Sequence, residues 1–244
     1  MNTSIRLSGH ALTRRFGRRE VVTQVDVGVS PGEIVGLLGP NGAGKTTIFG
    51  MLAGSLGVTS GRVVLSGQDI TRLPLFRRAR MGITYLPQES SVFRRLTVAG
   101  NIEAVLETVE AKAGERRRRL ETLLRELGLE EKAGYRADRL SGGERRRLEI
   151  TRALVLEPVF MLLDEPFAGI DPITVSDTQK LIHMLRDRGI GVMITDHNVR
   201  ETLSVCDRAY ILKDGQILKQ GVPEELVDDP EVRKAYLGAE FSLG

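Results

Sequence analysis

The sequence predicts an α/β fold built around a parallel sheet. Three observations predict it. The runs at 33–38, 159–163 and 191–195 are apolar on successive residues, as in central strands covered on both faces. The stretch "LLGPNGAGKTTI" (37–48) reads as one of these strands entering a glycine-rich loop that feeds a helix. Helical periodicity is clearest between 97 and 157, with strand-like runs on either side.

In chain order, the N-terminal stretch "MNTSIRLSGHALTRRFGRR" has no apolar h-region and does not read as a secretory signal. Short apolar runs bounded by glycine or proline then read as strands: "GEIVGLLG" (32–39), "GRVVLSG" (61–67), "GITYLPQ" (82–88), "VFMLLDEP" (159–166), "IGVMITD" (190–196) and "RAYILKDG" (208–215). "GRVVLSGQDI" and "RAYILKDGQILKQG" suit hairpins or edge strands, the second with a "DG" turn. Leu120, Leu123, Leu124 and Leu127 follow i, i+3, i+4, i+7, and Gly128 is the stop, so "GERRRRLETLLRELG" is an amphipathic helix. Its arginine-rich outer face is either a phosphate-binding face or, the plainer reading, a solvated face with Glu–Arg pairs. Residues 89–157 therefore look like a helical insertion between two stretches of α/β core.

Composition sets the limits. A chain of 244 residues suits one large domain with room for a sizeable core. Net charge of +3 does not indicate a nucleic-acid partner. The single cysteine, Cys206, excludes an internal disulfide and fits a reducing compartment. No apolar run approaches the ~18 residues of a membrane span, so a soluble cytoplasmic protein is expected.

Gly39, Pro40, Asn41, Gly42, Ala43, Gly44, Lys45 and Thr46 fill the pattern G-x-x-x-x-G-K-S/T, with Thr47 following in the helix. Glycines let successive amides face inward, and the helix dipole adds to the attraction for phosphate. Lys45, a solvated ammonium until phosphate arrives, should reach the β- and γ-phosphates, and Thr46 should ligate Mg2+. "VFMLLDEP" puts Asp164 at a buried strand end, where it can hold Mg2+ opposite Thr46. Glu165 follows, placed to orient or deprotonate the attacking water. His197 in "ITDHNV" lies past another strand, where α/β ligands bind; it is either a γ-phosphate contact or a structural histidine. Gln88 in "YLPQE" is similarly placed to ligate Mg2+ or orient water. Phe16 is either an adenine-stacking ring or an ordinary strand aromatic. "LSGGE" gives Ser141, Gly142, Gly143 and Glu144 at a helix N-terminus, a second anion site. Arg145, Arg146 and Arg147 after it read as solvated helix surface.

The phosphate loop, Gln88, "LSGGE", "LLDEP", "AGID" (168–171) and His197, in this order and spacing, resemble the ATPase subunit of an ATP-binding cassette (ABC) transporter over essentially the whole chain. The resemblance implies an α/β P-loop NTPase fold: a RecA-like core with an antiparallel β-subdomain in 1–88 and 158–244, and a helical subdomain in 89–157. It implies ATP and Mg2+ as cofactors. It implies a head-to-tail homodimer in which LSGGE of one subunit closes over the ATP of the other, with Asp171 at the interface. "AGID" departs from the commoner "SALD", and Phe16 stands where tyrosine is commonest. Within the family, "YLPQESSVFRRLTV" and "ITDHNVRETL" are most similar to the lipopolysaccharide-export ATPases of Gram-negative bacteria. That implies two transmembrane permease subunits, each sending a coupling helix into a groove at Phe93, Arg94 and Arg95. Phe93 read alone also fits the core of the helical subdomain. The location implied is the cytoplasmic face of the inner membrane, with lipopolysaccharide touched by the partners. A branched-chain amino acid importer ATPase is the nearest alternative. An ABC protein acting on DNA or ribosomes fits less well, since no second cassette, long insertion or basic linker is present.

Overall fold

The structure, a computed structural model, describes residues 6–238 and residue 241. The first five residues of the N-terminal stretch lie outside them. The described chain opens with β1 (Leu7–Phe16) and β2 (Arg19–Val29), paired antiparallel. Neither strand stands out in the sequence, for a physical reason. Ala11 and Gln24 take left-handed backbone, φ 47° and 51°, and the ladder shifts register nearby. Such bulges break the two-residue alternation that marks a half-buried strand.

Next come β3 (Ile34–Leu38), α1 (Lys45–Ala53), β4 (Ser60–Leu65), β5 (Gln68–Asp69), α2 (Leu75–Arg80) and β6 (Ile83–Leu86). Helices α3 (Val98–Val109), α4 (Ala113–Glu126) and α5 (Gly142–Leu154) follow. The chain continues through β7 (Phe160–Asp164), α6 (Pro172–Asp187), β8 (Gly191–Thr195), α7 (Val199–Leu203), β9 (Arg208–Lys213), β10 (Gln216–Gly221) and α8 (Pro223–Asp228). Five of the six apolar runs read from the sequence contain a strand, and β4 begins one residue before the run at 61–67. The "DG" hairpin forms as expected, with Asp214 and Gly215 both at positive φ.

The strands make two sheets. One has the order β2-β1-β4-β5 and is antiparallel. The other has the order β10-β9-β3-β8-β7-β6, parallel except for β10 at its edge. Every residue of β3, β7 and β8 is buried, which is why these runs lack polar alternation. The chain after β3 turns toward α1, while β8 and β9 flank β3 on its two sides, so the loop at 39–44 sits where strand order switches.

Helix α4 buries Leu123 and Leu124 and ends one residue before Leu127, with Gly128 at φ 62°. Its outer face carries the expected pairs, Arg117 with Glu121 at 3.1 Å and Arg118 with Glu115. The arginines of α5 do not follow the sequence reading. Arg146 is buried and paired with Glu149 at 3.0 Å, and Arg145 donates to the Leu140 carbonyl at 3.0 Å. The face they occupy packs against the rest of the molecule, so run composition alone misassigns it.

Helix α1 ends at Gly54, φ 84°, and Arg78 of α2 closes that end. Its guanidinium donates to the Met51 and Leu52 carbonyls at 2.7 and 2.8 Å, and to the Leu73 and Thr71 carbonyls at 2.8 Å each. Burial lowers the Arg78 pKa to about 10, still far above neutrality, so the cation persists.

Candidate functional site

The glycine-rich loop starts where β3 leaves the sheet. At Gly39, φ 151°, an added Cβ would lie 2.1 Å from the Leu212 carbonyl oxygen, so only glycine fits. Gly44, φ 107°, caps α1 without a side chain. The first amides of α1 have no intrahelical acceptor by the geometry of any helix start, and no cap competes for them. Pro40, Asn41, Gly42 and Thr46 are exposed, Thr47 is half-buried, and Ala43 is buried.

Lys45 corrects the sequence reading. It is not solvated. Its Nζ donates to the Gly39 carbonyl at 2.7 Å and the Pro40 carbonyl at 3.0 Å, and 8% of the residue is exposed. Burial lowers its pKa, while Glu165, Asp164 and Asp196 push it back up. The lysine thus holds its own loop closed.

Asp164 ends β7 next to Thr195 of β8 in register. Its Oδ2 accepts from the Tyr85 hydroxyl at 2.9 Å, whereas Oδ1 is buried with no hydrogen-bond partner among the described residues. Burial raises the Asp164 pKa; the Tyr85 bond opposes that and Glu165 adds to it. Burial, then the Asp164 charge, likewise pushes the Tyr85 phenol up. No group of three His, Cys, Asp or Glu side chains among the described residues is placed to hold a metal alone. A hard cation at the free Oδ1 would take its other oxygens from Thr46, nucleotide and water, which suits Mg2+.

Glu165 adopts φ 48°, uncommon for a residue with a Cβ, and its amide donates to the Thr195 carbonyl at 2.6 Å. Its Oε2 lies 3.5 Å from His197 Nδ1, which also lies 3.5 Å from Asp196 Oδ1. Asp196 is fully buried and accepts the Phe167 amide at 2.7 Å and the Asn198 amide at 2.8 Å. The Asn198 side chain returns a bond to the Phe167 carbonyl at 3.0 Å. Burial raises the Asp196 pKa against these two amides. The carboxyl ends of β3, β7 and β8 thereby bring Lys45, Asp164, Glu165 and His197 into one electrostatic cluster. Gln88 lies two residues beyond β6 and is exposed.

Phe16 ends β1, with 47% exposure and the Arg14 guanidinium 4.7 Å from its ring centroid. Ser141 caps α5 in a capping box: its hydroxyl accepts the Glu144 amide at 3.3 Å, and Glu144 Oε2 accepts the Ser141 amide at 2.9 Å. Glu144 thereby completes the helix start at Ser141. A Cβ added at Gly142 or Gly143 would meet Ile170 and Thr174. Asp171 accepts from the Thr174 amide at 3.1 Å and hydroxyl at 2.6 Å at the start of α6.

Phe93 is 48% exposed, and Arg94 and Arg95 are exposed beside it. The reading of Phe93 as a core residue fails. The ring rests against the Arg152 guanidinium at 4.7 Å. Its backbone is held from below by fully buried Asn101, which accepts the Phe93 amide at 2.8 Å and donates to the Phe93 carbonyl at 3.0 Å. Tyr85, Asn101, Asp196 and Asn198 escaped the sequence reading. Asp196 and Asn198 had a signal, since both flank His197 at a strand end. Tyr85 had none, because its partner is 79 positions away.

Residues 22–168 match the family model described as ABC transporter, and residues 220–242 match one described as branched-chain amino acid ATP-binding cassette transporter. The chain is 56% identical over 237 residues to the lipopolysaccharide export system ATP-binding protein LptB of Acidithiobacillus ferridurans, covering 97% of this chain and 98% of the relative. It is 50% identical over 238 residues to LptB of Escherichia coli K12, covering 97% and 99%. A crystal structure of an ATP-binding cassette of an ABC transporter in its ADP conformation superposes with a TM-score of 0.85, at 27% identity, over 96% of this chain and 98% of that one.

Proposed function

The chain belongs to the ATP-binding family of ABC transporters, and on that premise we propose that it hydrolyses ATP to drive lipopolysaccharide from the inner membrane toward the outer membrane. One observation carries this reading: identity of 50–56% along 97% of the chain to proteins named for lipopolysaccharide export. The geometry supports the chemistry. Arriving phosphate draws Lys45 off the Gly39 and Pro40 carbonyls, and the backbone amides of 41–47 and the α1 dipole take up its charge. Thr46, Asp164 and Gln88 would hold Mg2+, which would supply positive charge beside the transferred phosphoryl group. Glu165 positions the water and accepts its proton, a role worth ~10²–10⁴ in rate. His197 bonds the γ-phosphate, and its contact with Glu165 keeps the two in step. Phe16 stacks on adenine, adding ~0.5–1.5 kcal/mol.

Ser141, Gly142 and Gly143 act in trans, covering the nucleotide of a second copy, with Asp171 beside them; the working unit is a homodimer. Residues 89–157 form the helical subdomain. Phe93, Arg94 and Arg95 receive the coupling helices of two transmembrane permease subunits, which contact the cargo. No helix among the described residues is long and apolar enough to cross a membrane. Attachment to the cytoplasmic face of the inner membrane runs through those permease subunits. No nucleic acid takes part.

A second reading, the ATPase of a branched-chain amino acid importer, is favoured by the match at residues 220–242. Purification from detergent-solubilised membranes, with identification of the bound membrane subunits, separates the two. Recovery of amino acid permeases would sink the lipopolysaccharide reading.

A further inference from the structure

We infer that Tyr85 is a positioning residue for the metal site: its hydroxyl pins the Asp164 carboxylate so that Oδ1 alone is offered to the cation. The inference rests on the ATPase reading above, in which Asp164 holds Mg2+. The geometry is specific. Tyr85 donates to Oδ2 at 2.9 Å, and Oδ1 is buried with no partner among the described residues. Asp164 is 2% exposed on a strand whose residues are all buried, so solvent does not organise the group.

The torsion that rotates an aspartate carboxylate is broad and roughly two-fold, so the side chain does not choose its own orientation. A single donor on one oxygen breaks that symmetry. Mg2+ demands near-ideal octahedral geometry, which makes a pre-set oxygen valuable. Tyr85 donates its hydrogen bond to Oδ2 and so acts through Asp164, not on the metal. It stands on β6, and Gln88 lies two residues beyond that strand, so one segment supplies both a positioning hydroxyl and a candidate ligand.

The test is Tyr85→Phe, which keeps the ring in its apolar cluster and removes only the hydroxyl. A non-hydrolysable ATP analogue is titrated calorimetrically into the full chain with Mn2+ and, separately, with EDTA. The ratio of the two affinities measures metal coupling. The variant should keep its affinity in EDTA and lose roughly tenfold in coupling, the usual scale for groups that orient metal ligands. In an Asp164→Asn background the same substitution should change nothing further. A variant that keeps the parent's coupling overturns the assignment, as does an equal loss in the Asp164→Asn background. A parent in which Mn2+ fails to tighten nucleotide binding overturns the ATPase reading and the Tyr85 assignment together. If the phenylalanine variant does not fold, 3-fluorotyrosine at position 85 of the parent chain serves instead. Its fluorine resonance should shift when Mg2+ is added to the analogue complex, and an unmoved resonance overturns the assignment.

Discussion

The Asp196 carboxylate accepts the Phe167 amide at 2.7 Å, tying the strand end that carries His197 to the loop that carries Glu165. Asn198 adds a second tie to the same residue. Together they hold Glu165 in a backbone conformation that costs ~1–3 kcal/mol by itself. Asp196→Asn presents an amide donor to at least one amide that needs an acceptor. We predict a loss of about 1–3 kcal/mol in stability. ATP turnover should fall at least tenfold while ATP affinity stays within a factor of about two, since Lys45 and the loop are untouched. Thermal unfolding and steady-state kinetics check this, and unchanged turnover would show that the latch is only structural.

Asp164 should be a stability burden in the nucleotide-free protein. Burial raises its folded pKa above the unfolded value, so its ionised form weighs against the native state at neutral pH. The penalty fades as pH falls through that raised value, because the native state then takes up the proton. Asp164→Asn should raise the melting temperature by ~2–4 °C near pH 8, about 1 kcal/mol. The difference from the parent should shrink in acid. A difference that grows as pH falls contradicts the sign.

Phe93 and Asn101 should separate binding from folding. Phe93→Ala removes an exposed ring and should cost no more than ~0.5–1 kcal/mol of stability, the scale of its contact with Arg152. Loss of a buried anchor at a partner interface costs ~2 kcal/mol or more, so permease co-purification should fail. Asn101→Ala leaves the Phe93 amide and carbonyl unpaired and should destabilise the isolated chain by about 1–3 kcal/mol. Equal destabilisation by both would place Phe93 in the folding core after all.

Glu165→Gln should trap the ATP-bound dimer. Asp164 and Lys45 remain to bind metal and nucleotide, and the amide nearly matches the carboxylate in shape. Adding Ser141→Arg should return the protein to monomer, since a bulky side chain at the start of α5 blocks the facing γ-phosphate. Light scattering after size exclusion, with and without ATP, reads both states. A Glu165→Gln chain that stays monomeric at saturating ATP argues against closure in trans.

The sequence made legible whatever is local. The strands β3, β7 and β8 announce themselves because both faces are buried, and the loop at 39–46 because the phosphate geometry demands glycine. β1 and β2 stayed hidden because their bulges scramble the alternation. Lys45 was misread because its resting partners are carbonyls of its own loop, which no side-chain pattern records. Tyr85 and Asn101 act on residues that only the folded sheet and helix bring near.

Arg78 joins two helices into one lever. Four carbonyls, two from the end of α1 and two from the turn before α2, share one planar cation. The joint ties the helix that follows the glycine-rich loop to α2 through one side chain. From α2 the chain runs within a few residues into β6 and then to Gln88 and Phe93. The end of α1 is thereby joined, through α2 and β6, to the surface proposed above to receive the membrane subunits.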